Sequence, residues 1–245
     1  MLSFIVPAYN EEIELPATIE SIRAAAHNID PLRGGFAVAN NYEIIVVDDA
    51  STDATAEIAR KAGAEVVAID RRQIAAARNA GARAARGDIL FFVDADTRIR
   101  REHVTGAIEA VNGAYAGGSA RVVTDGTIPL WGRLLMKTFC AVYFANNLGA
   151  GAFLFTTREN FDKIGGFNED FYIGEEVYFS LALRKLGRFK ILRTPVITSG
   201  RKLRMYSARQ ILVRSFGILL HGKRAALSRD RLDLWYEGKR ETKST

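Results

Sequence analysis

The chain is 245 residues long, 48% hydrophobic and 25% charged, which is enough apolar mass for a substantial core and excludes a disordered chain. Its formal charge of +6 is gathered at one end: residues 201–245 hold twelve Lys/Arg against four Asp/Glu, leaving residues 1–200 slightly acidic. A body without a basic, aromatic-studded face excludes nucleic acid as a partner. The longest apolar stretch, Leu130 to Phe155, is broken by Arg133, Lys137, Asn146 and Asn147 and falls short of the roughly 18 residues of a spanning helix. The opening "MLSFIVPAYNEE" lacks a basic region, and Cys140 is the single cysteine. Both point to the cytoplasm, in solution or at the inner face of the membrane, with no disulfide framework.

In chain order, apolar runs alternate with helical patterns. A strand at Leu2 to Val6 precedes a helix at Glu11 to Ala26, where Leu15, Ile19 and Ile22 recur at helical spacing. The segment Asn28 to Asn41, with Pro31, Gly34 and Gly35, reads as a loop. Then come a strand at Tyr42 to Val47, a helix at Asp53 to Ala62, a strand at Glu65 to Ile69, a helix at Gln73 to Arg86 and a strand at Ile89 to Val93. This β-α-β-α-β-α-β order predicts an α/β fold with a doubly wound, mostly parallel sheet.

Beyond Thr97 the alternation loosens. A helix at Arg101 to Val111, a strand at Ser119 to Thr124 and a helix from Pro129 to Phe144 are expected. They are followed by a strand at Ala152 to Phe155, a helix at Glu175 to Leu186 and strand pieces at Phe189 to Leu192 and Val196 to Thr198. These pieces are expected to extend the sheet with antiparallel strands. One domain over residues 1–200 and a basic helical appendage over 201–245 complete the layout.

Four strand ends gather polar groups on one edge of a parallel sheet: "PAYNEE", "DDAST", Asp70 and "DADT". Ligands of such sheets lie beyond the carboxyl ends of the strands. Ser51 and Asp53 equally suit the N-cap of the next helix. Asp94 and Asp96 leave a strand apolar throughout, and two carboxylates one residue apart converge on one small ion only if the chain bends at Ala95. A hard divalent cation, Mn²⁺ or Mg²⁺, takes such oxygen ligands and keeps room for waters and phosphate oxygens.

The runs "FIVPAYNEE", "EIIVVDDASTDAT", "AAARNAGARAARGDILFFVDADT" and "GGFNEDFYIGEEVYFSLALRKLG" together resemble the successive motifs of GT-A-fold, family-two nucleotide-sugar glycosyltransferases, over residues 3 to about 190. The resemblance implies a nucleoside diphosphate sugar donor, a hydroxyl acceptor, a nucleotide-binding half at 1–98 and an acceptor half at 99–200. It assigns Pro7, Tyr9, Glu11, Asp49, Arg78 and Asp94 to the nucleotide and matches Asp94 and Asp96 to the metal motif. "GGF" at Gly165 to Phe167 would shape the pocket floor. Inverting relatives carry Glu-Asp where this chain has Glu175 and Glu176, so Glu176 aligns with the base that deprotonates the acceptor, one methylene longer. Opening a helix after Gly174, these carboxylates are expected to be held ionised by the helix field.

Arg201 and Lys202 follow the last strand and are candidates to close over the diphosphate. Residues 207–224 read as a basic amphipathic helix, suited either to an anionic membrane surface near a lipid-linked acceptor or to packing on the body. Two rivals stand beside the transferase. A sugar-1-phosphate nucleotidyltransferase lacks support, since "PAYNEE" stands where a Gly-rich, Arg-bearing loop is needed. A catalytically impaired nucleotide-sugar-binding or membrane scaffold protein draws on the Glu-for-Asp change at Glu176.

Overall fold

A computed structural model of the chain describes residues 1–27, 29, 41–126 and 129–205. The side chain of Lys202 and the 207–224 segment lie outside the described residues. Seven successive buried residues make β1 (Leu2–Ala8), and five make β4 (Ile89–Val93). Strands covered on both faces have no polar alternation, and these two lie side by side and parallel within an eight-stranded sheet.

On one side β1 is flanked by β2 (Tyr42–Asp49) and then β3 (Glu65–Ile69), all parallel. Beyond β4 come β7 (Phe153–Thr157), β6 (Tyr115–Thr124), β8 (Arg188–Thr198) and β5 (Thr97–Arg98). The order 3-2-1-4-7-6-8-5 reverses direction between β1 and β4, a switch point that opens a crevice at their carboxyl ends.

Each sheet face buries a separate core. Under α1 (Leu15–Ala26), α2 (Thr55–Lys61) and α4 (Arg101–Asn112), Phe4 stacks on Phe91 at 4.7 Å beside Phe153 and Phe155. Under α3 (Ile74–Ala84), α6 (Arg158–Ile164) and α7 (Glu175–Leu186), Phe92 meets Phe161, Phe167 and Phe179. Each such ring contributes about 1.5–3 kcal/mol through burial. The remaining helices, α5 (Leu130–Ala145) and α8 (Arg201–Met205), border the site.

The departures from expectation have local causes. The first helix starts at Leu15, not Glu11, because the Glu11 N–H donates to Thr55 Oγ1 at 2.8 Å and Pro16 suits the first helical turn, where no N–H is needed. The two expected strand pieces are one strand, β8: Ala120 pairs with Leu192 and Arg121 with Pro195, so a bulge absorbs Arg193 and Thr194 and accommodates a proline without N–H. Strand β7 is antiparallel to both neighbours, as expected, but β6 and β8 run parallel, with α5, β7, α6 and α7 forming the long connection such a pair requires. The helix α6 was not expected.

Candidate functional site

The loops leaving β1 and β2 are laced together. Asn10 N–H donates to Ser51 Oγ at 2.9 Å, Thr52 N–H to Asn10 Oδ1 at 2.7 Å, and Ala54 N–H to Glu12 Oε2 at 3.2 Å. Asp53 accepts from the Thr55 N–H at 2.9 Å and from the Glu12 N–H at 3.2 Å, so it serves the turn into α2. Pro7 is buried in β1. Tyr9 is half-buried, with the Arg72 guanidinium 3.4 Å from its ring centroid. Asp49 is buried and accepts the backbone N–H groups of Arg71, Arg72 and Gln73, each at 2.7 Å, which aims the start of α3.

Strand β4 delivers its acids into a turn. The Thr97 N–H donates to the Asp94 carbonyl at 2.9 Å, placing the bend at Ala95 and Asp96. Asp94 turns to Arg78, which is 1% exposed inside α3. Its Nη2 donates to Asp94 Oδ1 at 2.9 Å and to the Gly151 carbonyl at 3.0 Å, and its Nη1 to Glu175 Oε1 at 2.7 Å. Asp96 has other partners: it accepts from Thr198 Oγ1 at 3.1 Å and lies 3.3 Å from Arg201 Nη2. Arg201 at the start of α8 grips Glu11 in a two-pronged pair of 2.7 and 2.5 Å. The tight turn at Gly149 to Gly151 thus supplies a carbonyl to the cluster, and Gly151 leaves room for Arg78, whose Nη2 would lie 3.0 Å from an added Cβ.

Gly174, with φ of +76°, opens α7 and presents Glu175 and Glu176 to the same crevice. Glu175 is 4% exposed and committed to Arg78. Glu176 is half-buried and accepts from the Tyr143 hydroxyl of α5 at 3.3 Å; that hydroxyl also lies 3.1 Å from the Gly149 carbonyl. Burial pushes Glu176 above the ordinary carboxylate range, and burial together with Glu176 does the same to Glu175, against the pull of Arg78. This runs against the expectation that the helix end alone sets their ionisation: it is worth about 0.3–1 kcal/mol in favour of the charged forms, and desolvation opposes it. Asp94 is raised to about 6, chiefly by burial, opposed by Arg78 and reinforced by Asp96. One guanidinium cannot neutralise both of its acids.

Five carboxylates (Glu11, Asp94, Asp96, Glu175 and Glu176) therefore surround two guanidiniums. All-oxygen donors and surplus negative charge are what a hard divalent cation takes, and Asp96 and Asp94 are the pair that would hold one. Among the described residues no three His, Cys, Asp or Glu side chains form a closed metal cage. Sequence reasoning missed Tyr143, Thr198 and the Gly151 carbonyl. A tyrosine on an amphipathic helix and a threonine ending a strand carry no signal of their own, and a carbonyl carries none at all.

The family model for glycosyl transferase family 2 matches residues 3–193. An uncharacterized glycosyltransferase of Haemophilus influenzae is 29% identical over 195 residues, covering 75% of this chain and 62% of that protein. A dolichol-phosphate mannosyltransferase of Pyrococcus furiosus is 29% identical over 203 residues, covering 78% of this chain and 51% of that protein. The chain thus spans less than two thirds of the length of either relative. The structure of the mannosyltransferase PcManGT from Pyrobaculum calidifontis, in complex with GDP-Man and Mn²⁺, superposes with a TM-score of 0.61 at 21% identity, over 89% of this chain and 61% of that one. That likeness is one of fold, and with the family model matched over residues 3–193 the chain belongs to glycosyl transferase family 2.

Proposed function

We propose that the chain is an inverting, metal-dependent glycosyltransferase that moves a sugar from a nucleoside diphosphate donor to a hydroxyl on a lipid-linked acceptor. The observation that carries this reading is Arg78, which ties the acid leaving β4 to Glu175 at the start of α7 and so brings a donor-side carboxylate close to Glu176, the next residue and the candidate base. Pro7, Tyr9 and the Asp49-capped loop border the β1–β2 side, where a nucleotide would lie. A divalent cation held by Asp96 and Asp94 would supply positive charge to the donor diphosphate. Arg201, 3.3 Å from Asp96 and paired with Glu11, would exchange that partner for the same phosphates, and Lys202 is its neighbour in sequence.

Glu176 is the base in this reading, because Glu175 is occupied by Arg78. It takes the proton of the acceptor hydroxyl while that oxygen bonds to the anomeric carbon. The bond from that carbon to the diphosphate oxygen breaks, its electron pair leaves with the nucleoside diphosphate, and the configuration inverts. A carboxylate raised by burial is a better match to an alcohol than an ordinary one, since general-base efficiency rises with basicity near the working pH.

The test uses a thermal-shift panel of UDP- and GDP-sugars with Mn²⁺, then turnover with the donor that binds. Asp96→Asn is expected to remove the cation-dependent part of donor affinity. Glu176→Gln is expected to abolish transfer while donor binding persists. Full transfer by Glu176→Gln would sink the assignment of the base. Donor binding by the wild type with neither hydrolysis nor transfer to any hydroxyl acceptor would favour a binding protein instead.

A further inference from the structure

Helix α5 leaves two leucines of its first turns in water. Leu130 is 81% exposed and Leu134, one turn on, is 66% exposed. Meanwhile Arg133, Lys137 and Phe144 line a groove of about 1120 Å³ against the sheet, whose opposite wall is made by Arg121 of β6 with Ile191 and Arg193 of β8. That volume slightly exceeds the roughly 300–1,000 Å³ typical of small-molecule sites.

Among the described residues no Asp or Glu lines the groove. None of its four cations makes an ion pair among the described residues. A cleft walled by one sign of charge focuses its field on anions. Leucines turned outward beside it gain free energy only when something apolar covers them. An aqueous phosphate would satisfy the cations and leave the leucines bare; a hydrocarbon alone would do the reverse. An anionic lipid satisfies both. Helix α5 also reaches the crevice, where Tyr143, next to Phe144 in sequence, donates to Glu176.

We propose that this groove and its leucine edge are the docking surface for an anionic lipid membrane, with a headgroup phosphate held among Arg121, Arg133, Lys137 and Arg193 and hydrocarbon laid over Phe144 and Ile191. That the bound lipid carries the acceptor rests on the transferase reading; the binding itself does not.

The test is co-sedimentation of the full chain with vesicles of phosphatidylcholine alone and of phosphatidylcholine mixed with phosphatidylglycerol. Each Lys or Arg near an anionic surface is worth about 1 kcal/mol, or about fivefold in affinity. Arg133→Gln/Lys137→Gln is therefore expected to lose about 25-fold on the mixed vesicles, and Leu130→Gln/Leu134→Gln to weaken binding as well. Arg121→Gln/Arg193→Gln, from the strand wall, repeats the charge test if the helix variant melts early. Binding that survives in all three pairs and falls only in Arg209→Gln/Arg214→Gln of the basic tail overturns the proposal. So does equal binding to neutral vesicles, or full displacement by millimolar inorganic phosphate, which would mark a free-anion site. If the wild type binds vesicles but no nucleotide sugar, the transferase reading fails and the lipid surface stands.

Discussion

Arg78 donates to two acids that lie 16 and 97 residues further along the chain, and it does so almost entirely out of water. Its Nε has no hydrogen-bond partner among the described residues, so the ion pairs and the two-acid geometry carry the compensation for burying it. Arg78→Met would leave Glu175 buried without its cation. Removing one partner of a buried pair costs about 3–5 kcal/mol. Urea unfolding should show a loss of that size, and Arg78→Met/Glu175→Leu should recover most of it, since the stranded charge is then gone as well. A double variant no more stable than the single one would contradict a cluster in which the ion pair sets the cost. The acids of this cluster were legible in the sequence: "DADT" leaves an all-apolar strand, and "GEE" opens a helix. Their partners were not. Arg78 reads equally as a solvated helix residue beside Arg83 and Arg86, and Arg201 gives no hint of Glu11, 190 residues earlier, because only the folded sheet brings those positions together.

At the scale of the elements, close packing of α3 on the sheet holds Arg78 in place. Gly81 allows that approach: a Cβ there would lie 2.3 Å from Ile5 Cγ2 and 2.9 Å from Val47 Cγ2, both on strands that end at the crevice. Gly81→Ala gains helix propensity yet is expected to destabilise by about 1–3 kcal/mol, the usual cost of overpacking. It should also weaken donor binding, because α3 would ride outward with Arg78. A neutral or stabilising effect in thermal unfolding would mean that the helix is not seated this closely. The parallel half of the fold was readable because strands buried on both faces appear as short apolar runs between helical periods. The second half was harder. Pro195 in β8 reads as a break until the bulge that absorbs it is known, and α6 is too short, at seven residues, for a helical period to emerge. The parallel pairing of β6 with β8 has no local signature, since it joins strands more than sixty residues apart.

Over the whole molecule the site concentrates acid in a body that is otherwise near neutral, and stability is therefore expected to depend on pH and on cations together. Asp94 has an ordinary carboxylate pKa in the unfolded chain and one of about 6 in the fold, chiefly from burial. Between those values the folded state binds the extra proton. Its contribution is thus fully present below about pH 4 and is lost as pH rises through 6, a change of about 3 kcal/mol. Glu175 and Glu176, raised in the same direction, steepen the trend. Asp88 and Asp125, whose pKa values are lowered by hydrogen bonds from the N-terminal amine, Gly200 and Arg204, act in the opposite sense and at lower pH. The melting curve of Asp94→Asn removes these shared contributions from the comparison. In chelator, the melting temperature of the wild type relative to Asp94→Asn should fall between about pH 4 and pH 7. A divalent cation reverses the sign, because it favours the ionised form: Mn²⁺ should stabilise the wild type more at about pH 7.5 than at pH 5, and should leave Asp94→Asn largely unmoved. Parallel curves for the two proteins in chelator would show that Asp94 is not strained by its burial, and an equal Mn²⁺ effect on both would place the cation away from the turn that leaves β4.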